Sequence, residues 1–181
     1  MRIKGKVLMF GMITAVFCLC IVLRIIKVNQ NAVKVNEVTF NSNETFQLKQ
    51  LDITVQQHGI YSRDDVKQKY SQMNTDAIVW DDEDLLLVAE IDVKNNTAEE
   101  HSFRCSNVHV QSGAFTNASD NVAIKSVNKG LKVKPDEEKI YYTAIPLKKA
   151  LFTKKQWNNI RNSEYELVLS EFPELVKVRL S

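Results

Sequence analysis

Glycine is scarce in this chain, five in 181 residues. No cluster of them forms a phosphate-cradling loop, so the nucleotide-binding motifs built on such loops are absent. No G-x-S-x-G nucleophile elbow occurs, which removes the sequence signature of an α/β-hydrolase serine. There are three histidines, His58, His101 and His109, and none falls in an H-E-x-x-H or H-x-H arrangement. His101, Cys105 and His109 together make only three ligands where a structural zinc site needs four. Three cysteines are present, of which Cys18 and Cys20 fall inside an apolar run. Cys105 is then alone in the rest of the chain and has no intramolecular disulfide partner there. Its setting, "FRCSNVHV", reads as a strand in which cysteine acts as a small buried apolar residue rather than a nucleophile. An exported domain without a disulfide suits a Gram-positive surface better than an animal extracellular space. The sequons at Asn43, Asn95 and Asn117 would matter only in a glycosylating secretory pathway.

Charge of one sign is missing from the first 28 residues, which carry Arg2, Lys4, Lys6, Arg24 and Lys27 and no acid. The remainder holds 19 of the 24 basic residues against all 22 acidic ones, a balance of −3. A mildly acidic body without a Lys/Arg block excludes nucleic acid as the expected partner. Hydrophobic content of 44% and charged content of 25% permit a packed core. The length fits one ordinary domain with an appendage.

The appendage is "VLMFGMITAVFCLCIVL", 17 uncharged residues from Val7 to Leu23. At 1.5 Å per residue it reaches about 25 Å, near the lower limit for the hydrocarbon core. Ile25 and Ile26 extend it, and Arg24 and Lys27 can snorkel outward. A cleaved signal peptide needs an A-x-A-like site after the run, and none is there. A bacterial lipoprotein needs a small residue before its cysteine, but Phe17 precedes Cys18 and Leu19 precedes Cys20. A buried core helix would show polar periodicity. The expectation is an uncleaved signal anchor, residues 1–28, with a cytoplasmic N-terminus set by the excess of basic residues on that side. Residues 29–36 form a polar linker, short enough to keep the outer domain within a few nanometres of the membrane.

Residues 37–181 read as strands. "LDITVQ" alternates through Leu51, Ile53 and Val55. "LLLVAEIDV" places Leu85, Leu87, Ala89, Ile91 and Val93 on one face, and Leu86 and Val88 on the other, as a central strand covered on both sides at one end would. "NVHVQSGAF" continues as strand and "TNASDN" as loop. "KGLKVKPDEEKIYYTAIPL" reads as two adjacent strands about a turn led by Pro135. "YELVLSEFPELVKVRL" reads as a terminal pair. Two short helices interrupt them. Ser62 with Asp65 and Thr153 with Gln156 are capping boxes, and Phe152 with Trp157 has the spacing of a hydrophobic staple. The predicted fold class is all-β with two short helices, an immunoglobulin-like antiparallel β-sandwich after one N-terminal transmembrane helix.

The acidic run Asp81, Asp82, Glu83, Asp84 offers three readings. A calcium loop wants oxygens at alternate positions about a glycine, which is not this pattern. Catalytic carboxylates need convergence and unlike environments. A solvated loop entering the central strand needs neither, and is the expectation, with Asp81, Asp82 and Asp84 as weak candidate metal ligands. No catalytic residue, cofactor or structural metal is expected. Among the aromatics, Trp157 and Phe172 mark a candidate interaction patch.

The segments "LLLVAEIDVKNNT", "KPDEEKIYYTAIPL" and "YELVLSEFPELVKVRL" resemble those of small immunoglobulin-like surface domains of Gram-positive bacteria, lipoproteins among them, families of uncharacterised function. The likeness covers roughly residues 35–181 and rests on turn and strand patterns. It implies a membrane-attached sandwich outside the cell and brings no catalytic residues with it. The chain departs from the lipoproteins in lacking a lipidation cysteine. The functional expectation is a membrane-anchored, extracytoplasmic, non-catalytic binding or accessory module working through protein–protein contacts, with an envelope or transporter protein as the partner class and any small-molecule ligand unknown. The alternatives are an envelope hydrolase or a cation-dependent binding protein.

Overall fold

The computed structural model describes residues 17–27, 35–79, 81–128 and 130–180. The chain divides into two compact units, Met1–Lys34 and Val35–Ser181. In the first, residues 17–27 form helix α1. Its apolar side chains, from Phe17 to Ile26, are exposed. Among the described residues no helix is long and apolar enough to cross a membrane. Residues 1–16 and 28 of the expected anchor segment and 29–34 of the expected linker lie outside the described residues.

The second unit is built on two sheets. One has five strands in the order β1 (Asn36–Asn41), β11 (Glu174–Leu180), β10 (Tyr165–Ser170), β6 (His109–Ser112), β7 (Phe115–Ala118). The other has four, β2 (Thr45–Leu48), β3 (Leu51–Tyr61), β4 (Leu85–Lys94), β9 (Glu138–Leu147). A two-stranded ribbon pairs β5 (His101–Ser102) with β8 (Lys132–Val133). Ile53, Val55, Ile91 and Val93 from one sheet share a buried cluster with Leu167, Val178 and Val110 from the other. The expectation of an antiparallel sandwich needs one correction, because β1 runs parallel to β11, with Asn36 opposite Glu174. After β1 the chain crosses to the other sheet in three residues, 42–44. Phe40 on β1 stacks on Phe46 of β2 across that crossing, ring centroids 4.1 Å apart.

Strand β4 is central, between β3 and β9. Leu87, Ala89, Ile91 and Val93 face the other sheet. Leu86 and Val88 are buried on the outer side, where helix α2 (Arg63–Lys69) packs on β3 and β4. The Ser62 capping box forms as the sequence indicates, and Val66, Tyr70 and Met73 are buried beneath it. Helix α4 (Lys154–Asn158) has the Thr153–Gln156 capping box. Phe152 and Trp157 meet at 5.7 Å between centroids, completing the staple.

Three expected elements differ. A third short helix, α3 (Asn121–Ile124), follows "TNASD", capped by Asp120 through the N–H groups of Val122 and Ala123. "NVHVQSGAF" is not one strand but the end of a 3-10 turn and the hairpin β6–β7. Gly113, at φ +57, takes the first turn position, where a two-residue hairpin favours glycine. The Pro135 turn does not join paired strands, because β8 pairs with β5 and β9 with β4.

The turns that carry the family likeness are bonded to each other. Asn95 of "KNNT" is fully buried. Its N–H reaches Glu137 O at 3.0 Å, and Asp136 N–H reaches its carbonyl at 2.9 Å. Glu137 Oε2 accepts from Lys134 N–H at 2.7 Å, closing "KPDE" on itself. The free edge of β9 is capped as well. The Asn128 amide donates to Tyr142 O and accepts from Tyr142 N–H, both at 2.8 Å, as a neighbouring strand would. Ala144 N–H donates to Ser119 Oγ at 3.0 Å and Asn117 Nδ2 to Pro146 O at 2.7 Å. An edge dressed in this way is a poor template for further strand pairing.

Candidate functional site

Strand β3 changes register partway along. Val55 pairs with Ile91, but the next partner pair is His58 with Ala89, so three steps on β3 match two on β4. One residue is therefore extra, a bulge at Gln56–Gln57, and a bulge re-aims the side chains after it. Without it the inward position would fall on Gln57. With it, His58 and Ile60 take the inner face beside Ala89 and Leu87, while Gly59 and Tyr61 take the outer face. Parity in the sequence carries this signal: Val55 and Ile60 are five apart, an odd spacing that one strand face cannot hold without an inserted residue.

His58 lines a cleft of about 460 Å³ where the ends of the two sheets meet. Ile60 and Leu87 from one sheet and Tyr165 and Leu180 from the other give it apolar walls; Arg161, Glu164 and Arg179 supply charge. The Nδ1 atom of His58 is fully buried and has no hydrogen-bond partner. Burial holds the imidazole below its ordinary pKa, favouring the neutral ring. Arg161 donates through Nη1 to Ile60 O, which ties the turn after α4 to β3. Tyr165 OH donates to Ile160 O at 2.8 Å across the same turn. Sequence reasoning singled out neither arginine, since they stand in different turns and strands.

A second cleft, about 540 Å³, lies at the β6–β7 hairpin. Phe115, Leu151, Phe152, Ile160 and Tyr165 line it, with Gln156 and Ser163. Phe115 packs on Phe152 at 4.6 Å and Phe152 on Trp157 at 5.7 Å, a row of three rings. Leu151 beside them is 62% exposed.

The acidic run divides. Asp81, Asp82 and Glu83 are exposed, as a solvated loop requires. Asp84 is buried at 4% exposure. Its Oδ2 accepts from Asp81 N–H at 3.0 Å and its Oδ1 from Lys149 N–H at 2.8 Å, so both oxygens are committed to backbone donors. The loop is thereby latched to the end of β9, with a Glu83–Lys149 ion pair outside. Among the described residues no three His, Cys, Asp or Glu side chains are grouped to hold a metal ion. The histidines sit apart on β3, β5 and β6: His101 pairs with Thr97 Oγ1 at 2.9 Å, and His109 lies 3.6 Å from Glu171. Cys105 is buried, and burial pushes its thiol up to about 12. Trp157 and Phe172 are not one patch. The Trp157 helix lies toward the Tyr165 end of β10, whereas Phe172 follows its other end and is 73% exposed. Six strand residues, about 20 Å, separate the two ends.

Two facing sheets around one buried core define the class, a β-sandwich domain. Residues 29–175 match the family described as Domain of unknown function (DUF5028), and the chain belongs to that family. No curated protein matches it. Among solved structures it is similar to an uncharacterised β-sandwich protein from Clostridium difficile 630, at 10% identity, 82% of this chain, 97% of that one and a TM-score of 0.51. It is also similar to a conserved hypothetical protein from Bacillus anthracis (16% identity, 71% and 88% covered, TM-score 0.47). A third likeness is to the yjhA protein of Bacillus subtilis (12% identity, 78% and 99% covered, TM-score 0.48).

Proposed function

We propose that the chain is a non-catalytic binding module of the Gram-positive cell envelope, held in the membrane by its N-terminal apolar segment with the sandwich outside, and that it docks a protein partner at the aromatic cleft. The observation that carries this reading is the row Phe115–Phe152–Trp157 beside an exposed Leu151. Rigid aromatic rings bordering an apolar cleft, rimmed here by Gln156 and Ser163, are the usual anchors of a protein contact. The buried, unreactive Cys105 and the scattered histidines support binding over hydrolysis.

The sandwich is immunoglobulin-like in this reading. With β3, β4 and β9 as A, B and E, and β6, β10 and β11 as C, F and G, both sheet order and chain order fit that fold. Tyr165 supports it, since a buried tyrosine opening strand F and bonding back to the chain, here to Ile160 O, is a tyrosine corner. Leu167 stands where antibody domains carry their second cysteine.

The test is a photo-crosslinking residue at Leu151 or, as control, at exposed Val122, in the full chain in cells. The expected result is one discrete adduct from position 151 alone, lost on Trp157→Ala. No adduct, or the same adducts from both positions, refutes docking at this cleft. Protease added to protoplasts should degrade the sandwich; a protected sandwich refutes the topology.

A further inference from the structure

The cleft at His58 adjoins the aromatic one, sharing Ser163 and Tyr165 with it, and poses its own question. A fully buried polar atom with no partner is rare in a folded protein, and each instance calls for an explanation. Here the atom is His58 Nδ1. The chain reaches this arrangement by a bulge that turns His58 inward, into a row whose earlier members are Leu51, Ile53 and Val55. An apolar residue there would complete the core at no such cost. The histidine opens instead onto about 460 Å³ of space, within the size range of small-molecule sites.

The walls indicate the ligand's chemistry. Ile60, Leu87 and Leu180 offer an apolar body its surroundings. Arg161 and Arg179 are both lining residues, against one carboxylate, Glu164. Asp65 lies near enough to feel the charge of Arg161, but its carboxylate is already taken by the Ser62 hydroxyl and N–H in the capping box. Arg161 spends one donor on Ile60 O, and a guanidinium has four more. Such a fork suits carboxylate and phosphate alike. We propose that the cleft between the sheets at His58 binds an amphiphilic anion, an apolar body carrying one carboxylate or phosphate, with Arg161 holding the anion and the His58 ring forming part of the wall.

The test uses the full chain in zwitterionic nanodiscs, with empty nanodiscs as the blank. Hexanoate, hexyl phosphate, 1-hexanol and inorganic phosphate are titrated calorimetrically. The expected result is saturable binding of hexanoate or hexyl phosphate, with hexanol and inorganic phosphate each at least about tenfold weaker, since the site needs both halves of the ligand. Arg161→Gln should weaken binding by about tenfold or more. His58→Phe is the decisive variant. It removes the unpartnered nitrogen and fills part of the cleft, so the melting temperature should rise while binding is lost. A residue kept for folding alone would not give that opposed pair of shifts. Absence of binding by both anions, equal binding of hexanol, or unchanged binding in His58→Phe would each overturn the proposal. Loss of hexanoate binding when the nanodiscs contain phosphatidylglycerol assigns the ligand to membrane lipid, and retention assigns it to a free amphiphile. Because Leu151 lies outside this cleft, the crosslinking result and this one fail independently.

Discussion

Replacing Asn95 by alanine should destabilise the sandwich substantially, and the size of the effect follows from four bonds. Nδ2 donates to Glu99 O at 2.7 Å and to Val133 O at 2.9 Å. Oδ1 accepts from Thr97 N–H at 2.9 Å and from Thr97 Oγ1 at 2.8 Å. The Thr97 and Glu99 groups are partly exposed, and water can replace Asn95 there, so each loss costs about 0.5 kcal/mol. Val133 is wholly buried, and its stranded carbonyl costs about 1–3 kcal/mol. The total is about 3 kcal/mol, a large share of a typical stability of about 5–15 kcal/mol. For a domain of this size that is a fall in Tm of about 6–12 °C. Equilibrium urea unfolding measures it, with an unchanged m-value as the sign that only the native state was touched. Asn95→Asp is the sharper variant. Its second oxygen would face two carbonyls as an anion, so its folded pKa rises above the unfolded value. Its stability should fall as pH climbs past about 4, and at pH 7 it should be worse than alanine. A cost below about 1 kcal/mol for Asn95→Ala, or an Asp variant no worse than Ala at pH 7, would refute the view that the Asn95 side chain ties its turn to the Val133 carbonyl.

Asp92 gives the opposite sign. Burial first, and then the Glu138 carboxylate, raise its pKa. An acid raised on folding destabilises the native state above its unfolded pKa of about 4 and not below it. Asp92→Asn, which keeps an acceptor for Gln56 Nε2, should therefore stabilise at pH 7 and lose that gain near pH 3, as melting curves across the range would record. Tyr165→Phe removes the bond to Ile160 O and should cost about 1 kcal/mol or somewhat more in chemical denaturation. Cys105 should react with a thiol reagent only as fast as the protein unfolds, since it is buried and its thiol is pushed up to about 12; immediate labelling of the Cys105 peptide, read apart from the exposed Cys18 and Cys20, would contradict that.

What can be read from the sequence is what neighbours in the chain decide. Capping boxes and staples act over three to five residues, so Ser62–Asp65, Thr153–Gln156 and Phe152–Trp157 are legible in the order of the residues themselves. Alternation marks β4 as central because burial on both faces leaves a continuous apolar run at one end. The Asn95 and Pro135 turns are visible as turns, but not as partners, because Asn95 and the Val133 carbonyl it binds are 38 positions apart in the chain. Asp84 is indistinguishable from Asp81 in the sequence. Its burial depends on the Lys149 N–H, 65 residues away.

The sequence by itself determined the local elements, the apolar N-terminal run and the β-rich class, because these follow from composition, periodicity and short-range bonding. Tertiary structure alone decided that β1 runs parallel to β11, with Asn36 and Glu174 bonded across 138 residues. It also decided that Trp157 and Phe172 lie at opposite ends of β10, and that a bulge turns His58 inward to line the same cleft as Arg161. Each of these depends on which distant backbone supplies the missing hydrogen-bond partner, and a one-residue shift in that pairing exchanges the two faces of a strand.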